Sequence, residues 1–341
     1  MTTETIVLAL AALLPAAALC FYVYSKDRVE KEPIKLLFIL LGLGALTAVP
    51  VLITSPVVNG IIDGIFKSLG EDVNGEIVLG PVMYDVYLLV SNVVGVACLE
   101  EGFKWLVLFF VTRNSKHFNS LFDGVIYSVF VSLGFAALEN VLYAFNYGFS
   151  VAIMRAFTAV PGHMFFGVMM GTFYSMWNVK NEAGKLEAEF SKRGIISVSS
   201  PINGKKELIL SYVIPVLGHG FYDFLCSQDS SQSTGLFYIF LIVLYVTQFK
   251  RIAAMSKQDT SEIGYAIGLV CKKHPAVKAI VDASIQRAAQ QQSAPVAPVA
   301  PSNIRPTHSA SDFEFHSVAD NTVKQDFEKK TFSLYIDGTE I

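Results

Sequence analysis

Residues 122–145 read FDGVIYSVFVSLGFAALENVLYAF, an apolar stretch that is interrupted towards its end by Glu139 and Asn140. The stretch is long enough to cross a bilayer as a helix, for which about 20 apolar residues suffice. A carboxylate within the hydrocarbon region is energetically unfavourable, so such a residue usually marks a functional site. The segment therefore predicts a membrane-spanning helix that carries a functional side chain.

Six other segments have a comparable length and apolar character. They cover residues 6–24, 36–53, 82–111, 151–177, 208–226 and 235–249. Charged residues make up only 16% of the 341 residues, below the roughly 25% that is usual in soluble domains. The sequence thus predicts an all-α fold, a polytopic membrane bundle of about seven transmembrane helices with a cytoplasmic tail.

The distribution of lysine and arginine predicts how the bundle is oriented. Basic residues cluster after the first, third and fifth predicted spans: Lys26, Arg28, Lys31, Lys35, Arg113, Lys116, Lys180, Lys185, Lys192, Arg193, Lys205 and Lys206. Loops rich in such residues stay in the cytoplasm, and the alternate loops carry only Lys67. We therefore expect the N-terminus outside the cell and the C-terminus in the cytoplasm.

Four regions are predicted along the chain. Residues 1–250 form the transmembrane domain, and its polar motifs lie between residues 82 and 228. Three shorter regions follow: an amphipathic helical tail (251–292), a linker rich in proline and alanine (293–309) and a short C-terminal tail (310–341). The last region is either disordered or a docking segment, for a cytoplasmic partner or for the membrane domain itself. The net charge of −3 and the lack of a basic stripe argue against a nucleic-acid partner.

The third predicted span contains Glu100, Glu101 and Lys104 inside its apolar sequence. Glu100 and Lys104 are four residues apart, a spacing that places both on one helix face and allows an ion pair. The adjacent carboxylate then has a like charge beside it in a low-dielectric setting, which suits a general base or acid. We interpret all three as catalytic candidates, since they lie too deep for an ion pair at the cytoplasmic interface.

Glu139 and Asn140 form the second motif. Gly134, Ala136 and Ala137 precede them, and small residues allow close helix approach in a membrane. The pair could serve only as an interhelical hydrogen bond, but that role normally uses uncharged polar side chains. We expect Glu139 to be a metal ligand or proton carrier, with Asn140 beside it.

Two membrane histidines complete the pattern. His163 follows a Pro-Gly pair (161–162) in a span that also contains Arg155, and a proline kink is expected to direct His163 inward. His219 and Asp223 are four residues apart on one helix face, where the carboxylate can orient the imidazole or share a metal with it. We expect both histidines to be metal ligands, with Asp223 in a supporting role.

Together the four motifs resemble those of the PrsW family of intramembrane proteases, within a wider group that includes the CAAX prenyl endopeptidases and bacterial immunity proteins. The family's motifs correspond to Glu100, Glu101, Lys104, Phe135, Glu139, Asn140, His163, His219 and Asp223. The resemblance implies hydrolysis of a peptide bond in a membrane-anchored protein, with anti-sigma factors as substrates of the best-known member. By the same analogy the protein is bacterial.

The resemblance also suggests a mechanism. Glu100 or Glu101 would activate a water molecule as general base, while His163 and His219, with Glu139 as an optional third ligand, would bind Zn²⁺ or stabilise the oxyanion. Zinc would polarise the scissile carbonyl. Catalysis by glutamate and histidine without a metal is the open alternative, because the same donors serve either mechanism.

Two functions of other classes are the rivals of a protease. A proton- or metal-coupled transporter also needs glutamate and histidine within the bilayer, but no inverted repeat is evident in the sequence. A non-catalytic membrane scaffold, whose tail recruits a cytoplasmic partner, is the second rival.

Overall fold

The computed structural model describes residues 3–28, 30–73, 76–293, 322–326, 331–336 and 339–340. Within these residues, seven helical segments are long and apolar enough to cross a bilayer. The predicted all-α membrane bundle of about seven spans is therefore confirmed. The linker predicted beyond Ser293 lies outside the described residues.

The first two spans comprise three helices, α1 (Thr3–Lys26), α2 (Ile34–Leu46) and α3 (Ala48–Leu69). Only Thr47 separates α2 from α3, and its hydroxyl donates to the Gly44 carbonyl at 2.6 Å. The helix continues through Pro56 and well past the predicted end of this span at residue 53. Membrane helices tolerate a proline where neighbouring groups satisfy the freed carbonyl.

The third span is a composite of three helical segments. An antiparallel hairpin of β1 (Glu71–Val73) and β2 (Glu76–Val78) precedes it. The span then runs through α4 (Pro81–Val90), a π-helix (Ser91–Ala97) and α5 (Cys98–Thr112). Proline is favoured in the first turn of a helix, which explains why α4 begins where it does.

The π-helix directly precedes the acidic motif of α5. Such segments are rare and are frequent at functional sites. The Gly95 carbonyl accepts from Ser55 Oγ at 2.7 Å and from Asn59 Nδ2 at 3.3 Å. A Cβ on residue 95 would lie 2.1 Å from Asn59 Oδ1, so any larger residue would displace the Asn59 side chain from this contact. Contacts from α3 therefore fix the position of the π-helix. The π-helix in turn sets the direction in which Glu100 and Glu101 project from α5.

The remaining spans are α6 (Asp123–Tyr147), the pair α7 (Phe149–Phe157) and α8 (Ala159–Lys192), α9 (Lys205–Ser227) and α10 (Ser231–Lys257). α6 packs against α1, α2 and α5. Its side chains are buried from its first residue to Ala136, and Tyr127 and Leu133 are fully enclosed. The stretch that carries Glu139 is thus the core helix of the transmembrane unit.

α2 and α6 approach so closely that their backbones touch at two glycines. A Cβ on Gly134 would lie 2.0 Å from the Leu41 carbonyl oxygen. A Cβ on Gly44 would lie 2.1 Å from the Val131 carbonyl oxygen. Small residues allow helices to pack this tightly within a membrane, so the contact depends on glycine at both positions.

Gly134→Ala is expected to lower the free energy of unfolding by about 1–3 kcal/mol, the usual effect of overpacking a tight core. Gly42→Ala in α2 is the matched control, since a Cβ there would have no atom of the described residues within 4 Å. The control should be neutral or slightly stabilising, because alanine favours helix over glycine. Thermal unfolding of the detergent-purified variants tests this, and equal shifts for both would contradict the packing described.

The fifth span breaks at Thr158 and not at the expected proline kink. Thr158 has φ −119° and ψ −75° and separates α7 from α8. Pro161 lies in the first turn of α8, where backbone N–H groups have no intrahelical acceptor and a proline removes no helical bond. The interruption expected at Pro161 therefore lies three residues earlier, at Thr158, and His163 follows in the second turn of α8.

The chain divides into two compact units, Met1–Val179 with Gly204–Glu262, and Lys180–Asn203 with Ile263–Ile341. The second unit contains the end of α8, nearly all of α11 (Glu262–Lys273), α12 (Pro275–Ser293), and three antiparallel strands in the order β3 (Thr322–Asp326), β4 (Thr331–Ile336) and β5 (Thr339–Glu340). α11 and α12 cover most of the region in which the sequence predicts an amphipathic helical tail.

Glu187 organises the second unit. Its buried carboxylate lies 2.6 Å from both Lys273 Nζ and His274 Nε2. It also accepts from the Ile202 backbone N–H at 2.7 Å. One carboxylate thus joins α8, the loop before α9 and the junction between α11 and α12.

Glu32 lies in the loop between α1 and α2 and is almost fully buried. The Tyr127 hydroxyl donates to its carboxyl group at 2.6 Å. Burial, reinforced by the nearby Asp123 carboxylate, raises the pKa of Glu32 to about 9. The folded protein therefore holds Glu32 protonated at neutral pH.

The free energy of unfolding should fall as the pH rises towards this pKa of about 9, because folded Glu32 keeps a proton that the unfolded chain has released above the ordinary pKa of 4.5. Each pH unit in this window lowers stability by at most about 1.4 kcal/mol. Glu32→Gln should flatten the pH dependence of thermal unfolding, whereas Glu71→Gln on the exposed β1 should leave it unchanged. An unchanged slope in Glu32→Gln would contradict a buried, protonated carboxyl group.

Candidate active site

Four stretches of sequence meet at one point of the transmembrane unit. The residues concerned are Glu100, Glu101 and Lys104 on α5, Glu139 and Asn140 on α6, His163 on α8, and His219 and Asp223 on α9. One donor atom from each of Glu100, Glu101, His163 and His219 lies within 4.8 Å of the other three, and all four residues are buried. The structure thus brings both acidic residues of α5 together with both membrane histidines.

Lys104 lies among these groups with a fully buried side chain. Its Nζ is 2.8 Å from Glu101 Oε1 and 3.3 Å from Glu100 Oε2. It is also 3.2 Å from His163 Nδ1 and 4.0 Å from the ring centre of Phe135. The ammonium therefore compensates two buried carboxylates at once, and its nearer partner is Glu101, not the Glu100 that lies four residues away.

The two adjacent carboxylates have different surroundings. Glu101 Oε1 contacts both Lys104 Nζ and His219 Nδ1, the latter at 2.9 Å, and its side chain is 0% exposed. Glu100 Oε2 has only the 3.3 Å contact to Lys104 and a 3.9 Å approach to His219 Nε2, and its side chain is 8% exposed. Glu101 is anchored, whereas Glu100 is held loosely and lies nearer to solvent.

His219 is fixed by contacts on both ring nitrogens. Nδ1 faces Glu101, and Nε2 lies 3.2 Å from Asp223 Oδ2 one helical turn away. The ring stacks on Phe166 with centroids 4.8 Å apart. The next residue, Gly220, lies against Val93 of the π-helix, so closely that a Cβ would be 2.6 Å from Val93 Cγ2. The π-helix therefore supports the helix that carries His219.

The hydrogen bonds of His163 define its tautomer. Nδ1 faces Lys104 Nζ at 3.2 Å, and Nε2 faces Glu139 Oε2 at 2.8 Å. A lysine ammonium can only donate, so Nδ1 must accept and the ring proton resides on Nε2, from which it is donated to Glu139. The Nδ1 lone pair of His163 is therefore directed towards Lys104 of α5, whose ammonium also contacts Glu100 and Glu101.

Arg155 is a member of this constellation to which the sequence analysis gave no role. Its Nη2 donates to Glu139 Oε2 at 2.6 Å, and its Nε donates to Asn140 Oδ1 at 3.2 Å. Asn140 Nδ2 in turn donates to the Ala12 carbonyl of α1 at 2.9 Å. Glu139 and Asn140 thus lie at the edge of the cluster and bind the arginine. An arginine inside an apolar run is the sequence signal that could have indicated this.

The four converging groups could hold a metal ion once the contact between Lys104 Nζ and His163 Nδ1 opens. Two imidazoles and two carboxylates are nitrogen and oxygen donors of the kind that bind zinc. Glu101 Oε2 is buried and has no hydrogen-bond partner among the described residues, which leaves an acceptor suited to a cation. Glu139 is not among these four clustered donors, and its Oε2 contacts Arg155 and His163.

A buried cluster of glutamates and histidines that could hold a metal ion, within a bundle of helices long and apolar enough to cross a membrane, is the arrangement expected of a membrane-embedded metalloenzyme. The sequence profile described as "PrsW family intramembrane metalloprotease" matches residues 32–248. This chain belongs to the PrsW family and is an intramembrane protease. The expected family and activity are confirmed, in preference to a transporter or a scaffold.

Individual relatives agree with this assignment. Protease PrsW of Oceanobacillus iheyensis is 30% identical over 242 residues, which cover 71% of this chain and 93% of the relative. Protease PrsW of Bacillus subtilis is 32% identical over 221 residues, covering 65% and 83%. Protease PrsW of Clostridioides difficile is 28% identical over 240 residues, covering 69% and 86%. No solved structure matches the chain significantly.

Proposed function

We propose that the chain cleaves a membrane-anchored protein with Glu100 as general base, beside a zinc ion held by Glu101, His163 and His219. The observation that carries this proposal is the convergence of these four groups within 4.8 Å. Three nitrogen and oxygen ligands with one open position are the usual arrangement of a catalytic zinc site. Glu100 is then the carboxylate left to act on water.

The unequal surroundings of the two carboxylates support this division of roles. A general base needs a free lone pair within reach of the water it deprotonates. Glu100 meets this requirement better, since it has the longer contacts and the more exposed side chain. Glu101 is held by Lys104 and His219 and is fully buried, which suits a ligand whose position must not vary.

Lys104, Asp223 and Glu139 act on the groups around them. Lys104 compensates the two carboxylates and offers a donor to an oxyanion that develops nearby. Asp223 and Glu139 bind the outward nitrogens of the two histidines, an arrangement that fixes ring orientation and tautomer in metal sites. Glu139 is thus proposed as a support for His163 in place of the direct ligand considered from the sequence.

A bound zinc ion would supply Lewis-acid polarisation of the scissile carbonyl and would make water more acidic. The residues of the chain supply the rest: Glu100 accepts the proton, and the surrounding helices restrict access of bulk water. A substrate helix hides its carbonyls in hydrogen bonds, so the substrate must be locally unwound when it reaches Glu100.

The basic loops support an N-terminus outside the cell and a C-terminus in the cytoplasm, and the bacterial relatives support a bacterial cell membrane. The resemblance to the family supports a single-span anti-sigma factor as a substrate to test first. The C-terminal tail is proposed to bind a cytoplasmic partner.

Cleavage in proteoliposomes tests this proposal. The purified chain is combined with a single-span anti-sigma factor tagged at both ends, and the two fragments are followed by blotting and mass spectrometry. We expect a cut within or next to the span, which Glu100→Gln abolishes. Substrate that stays intact with the wild type argues against this substrate class, whereas equal cleavage by Glu100→Gln argues against the assigned base.

A further inference from the structure

We propose that Arg155 is a positioning residue of the hydrolytic site, which acts on His163 through Glu139. This inference rests on the proposed role of His163 as a metal ligand. Arg155 contacts neither the four clustered donors (Glu100, Glu101, His163 and His219) nor the reacting groups. Its role would give α7 a part in the active site.

The first observation is the geometry of the guanidinium. Arg155 donates from Nη2 to Glu139 and from Nε to Asn140, two consecutive residues of α6. A planar fork that binds two neighbours fixes their side chains in direction as well as distance. The central guanidinium carbon, Cζ, also lies 3.9 Å from the ring centre of Tyr143, one turn further along α6. Arg155 is therefore clamped to one face of α6 by three contacts.

The second observation is that one oxygen atom is shared. Glu139 Oε2 accepts from Arg155 Nη2 at 2.6 Å and from His163 Nε2 at 2.8 Å. The arginine and the histidine therefore determine the position of the same carboxylate oxygen. If Arg155 is lost, Glu139 can rotate, and His163 Nε2–H loses the acceptor that keeps its Nδ1 lone pair directed at Lys104 of α5.

The third observation is the break in the chain between the two residues. Arg155 belongs to the last turn of α7, and His163 to the second turn of α8, with Thr158 between them. No continuous helix therefore fixes one residue relative to the other. The shared oxygen of Glu139 provides that connection across the break.

Burial makes the interaction effective. The side chain of Arg155 is 11% exposed and that of Glu139 is 20% exposed. Ion pairs in such surroundings are screened much less by salt than surface pairs. A guanidinium within the membrane bundle is costly unless it is used, and this one binds Glu139 and Asn140 of α6.

The test uses the full-length protein labelled with ¹⁵N-histidine, in detergent and without metal. The wild type should show His163 as the Nε2–H tautomer, assigned by its loss in His163→Ala. Arg155→Met should abolish the single tautomer signature and give a mixed or Nδ1–H pattern. Arg155→Lys, which keeps the charge but lacks the fork, should restore it in part. An unchanged His163 spectrum in folded Arg155→Met would overturn the proposal.

Zinc affinity provides the second readout, by competition with a chromophoric chelator. Loss of such a supporting contact typically weakens metal binding about 10–100-fold, and we expect this for Arg155→Met. Arg193→Gln is the matched control, since Arg193 also pairs with a glutamate at 2.8 Å but directly follows the last residue of α8 and belongs to the second compact unit. In a Glu139→Gln background, Arg155→Met should weaken zinc binding little further, because Arg155 is proposed to act through Glu139.

The outcomes separate this inference from the proposed function. If the wild type binds no zinc, the metal-site proposal fails, while the histidine spectrum still decides the role of Arg155. If the wild type binds zinc and folded Arg155→Met binds it equally tightly with an unchanged spectrum, Arg155 serves packing alone and the inference is wrong.

Discussion

Glu100→Gln should abolish proteolysis while the protein stays folded and keeps its zinc. Loss of a general base typically lowers the rate about 10²–10⁴-fold. The amide is nearly isosteric with the carboxylate. The 3.3 Å contact between Glu100 and Lys104 is also longer than the 2.8 Å contact between Glu101 and Lys104. We therefore expect little change in stability. Cleavage of the tagged substrate and metal content, measured on one preparation, test both parts of the prediction.

Glu101→Gln is the informative comparison for this variant. Glu101 is anchored by Lys104 and His219 and is proposed as a ligand, so its replacement should reduce zinc content as well as cleavage. A reversed pattern, in which Glu100→Gln loses zinc and Glu101→Gln keeps it, would exchange the two roles. Wild-type cleavage by Glu100→Gln would remove Glu100 from the mechanism altogether.

Lys104→Met should be the most destabilising of the single substitutions in the site. It removes a fully buried cation and leaves Glu100 and Glu101 as adjacent uncompensated charges. Breaking a buried ion pair by removing one partner typically costs about 3–5 kcal/mol. We expect a markedly lower unfolding temperature, poor yield and no cleavage.

A second substitution identifies the cause of that instability. Lys104→Met combined with Glu100→Gln removes one of the two uncompensated charges and should recover part of the unfolding temperature. Lys67→Met, at the end of α3, is the matched control for loss of a lysine and should behave as wild type. If Lys104→Met were as stable as Lys67→Met, the buried charge cluster described here would be wrong.

The membrane architecture could be predicted because its signals are local. The apolar runs fixed the number of spans, and the charged residues within them marked the site. Glu100 and Lys104 were expected to pair from their spacing alone, and Lys104 does contact Glu100. The convergence of α5, α8 and α9 could not be derived from any one motif, since it depends on how distant helices pack.

Three features of the site were not correctly predicted from the sequence. The π-helix before Glu100 depends on contacts between Gly95 and α3, which are distant in sequence. The break at Thr158 lies three residues before Pro161, at which the sequence predicted the kink. The role of Arg155 depends on the facing side of α6. The π-helix and the role of Arg155 are tertiary effects, which a reading of local patterns does not contain.

The central claim is that these residues of α5, α8 and α9 form one metal site, and zinc content tests it most directly. The detergent-purified wild type is compared by elemental analysis with a His163→Ala/His219→Ala double variant of the same fold and oligomeric state. We expect about one zinc ion per wild-type chain, as in other catalytic zinc sites, and almost none in the variant. Equal zinc in both proteins, or an active wild type that remains free of metal after chelation, would contradict the claim.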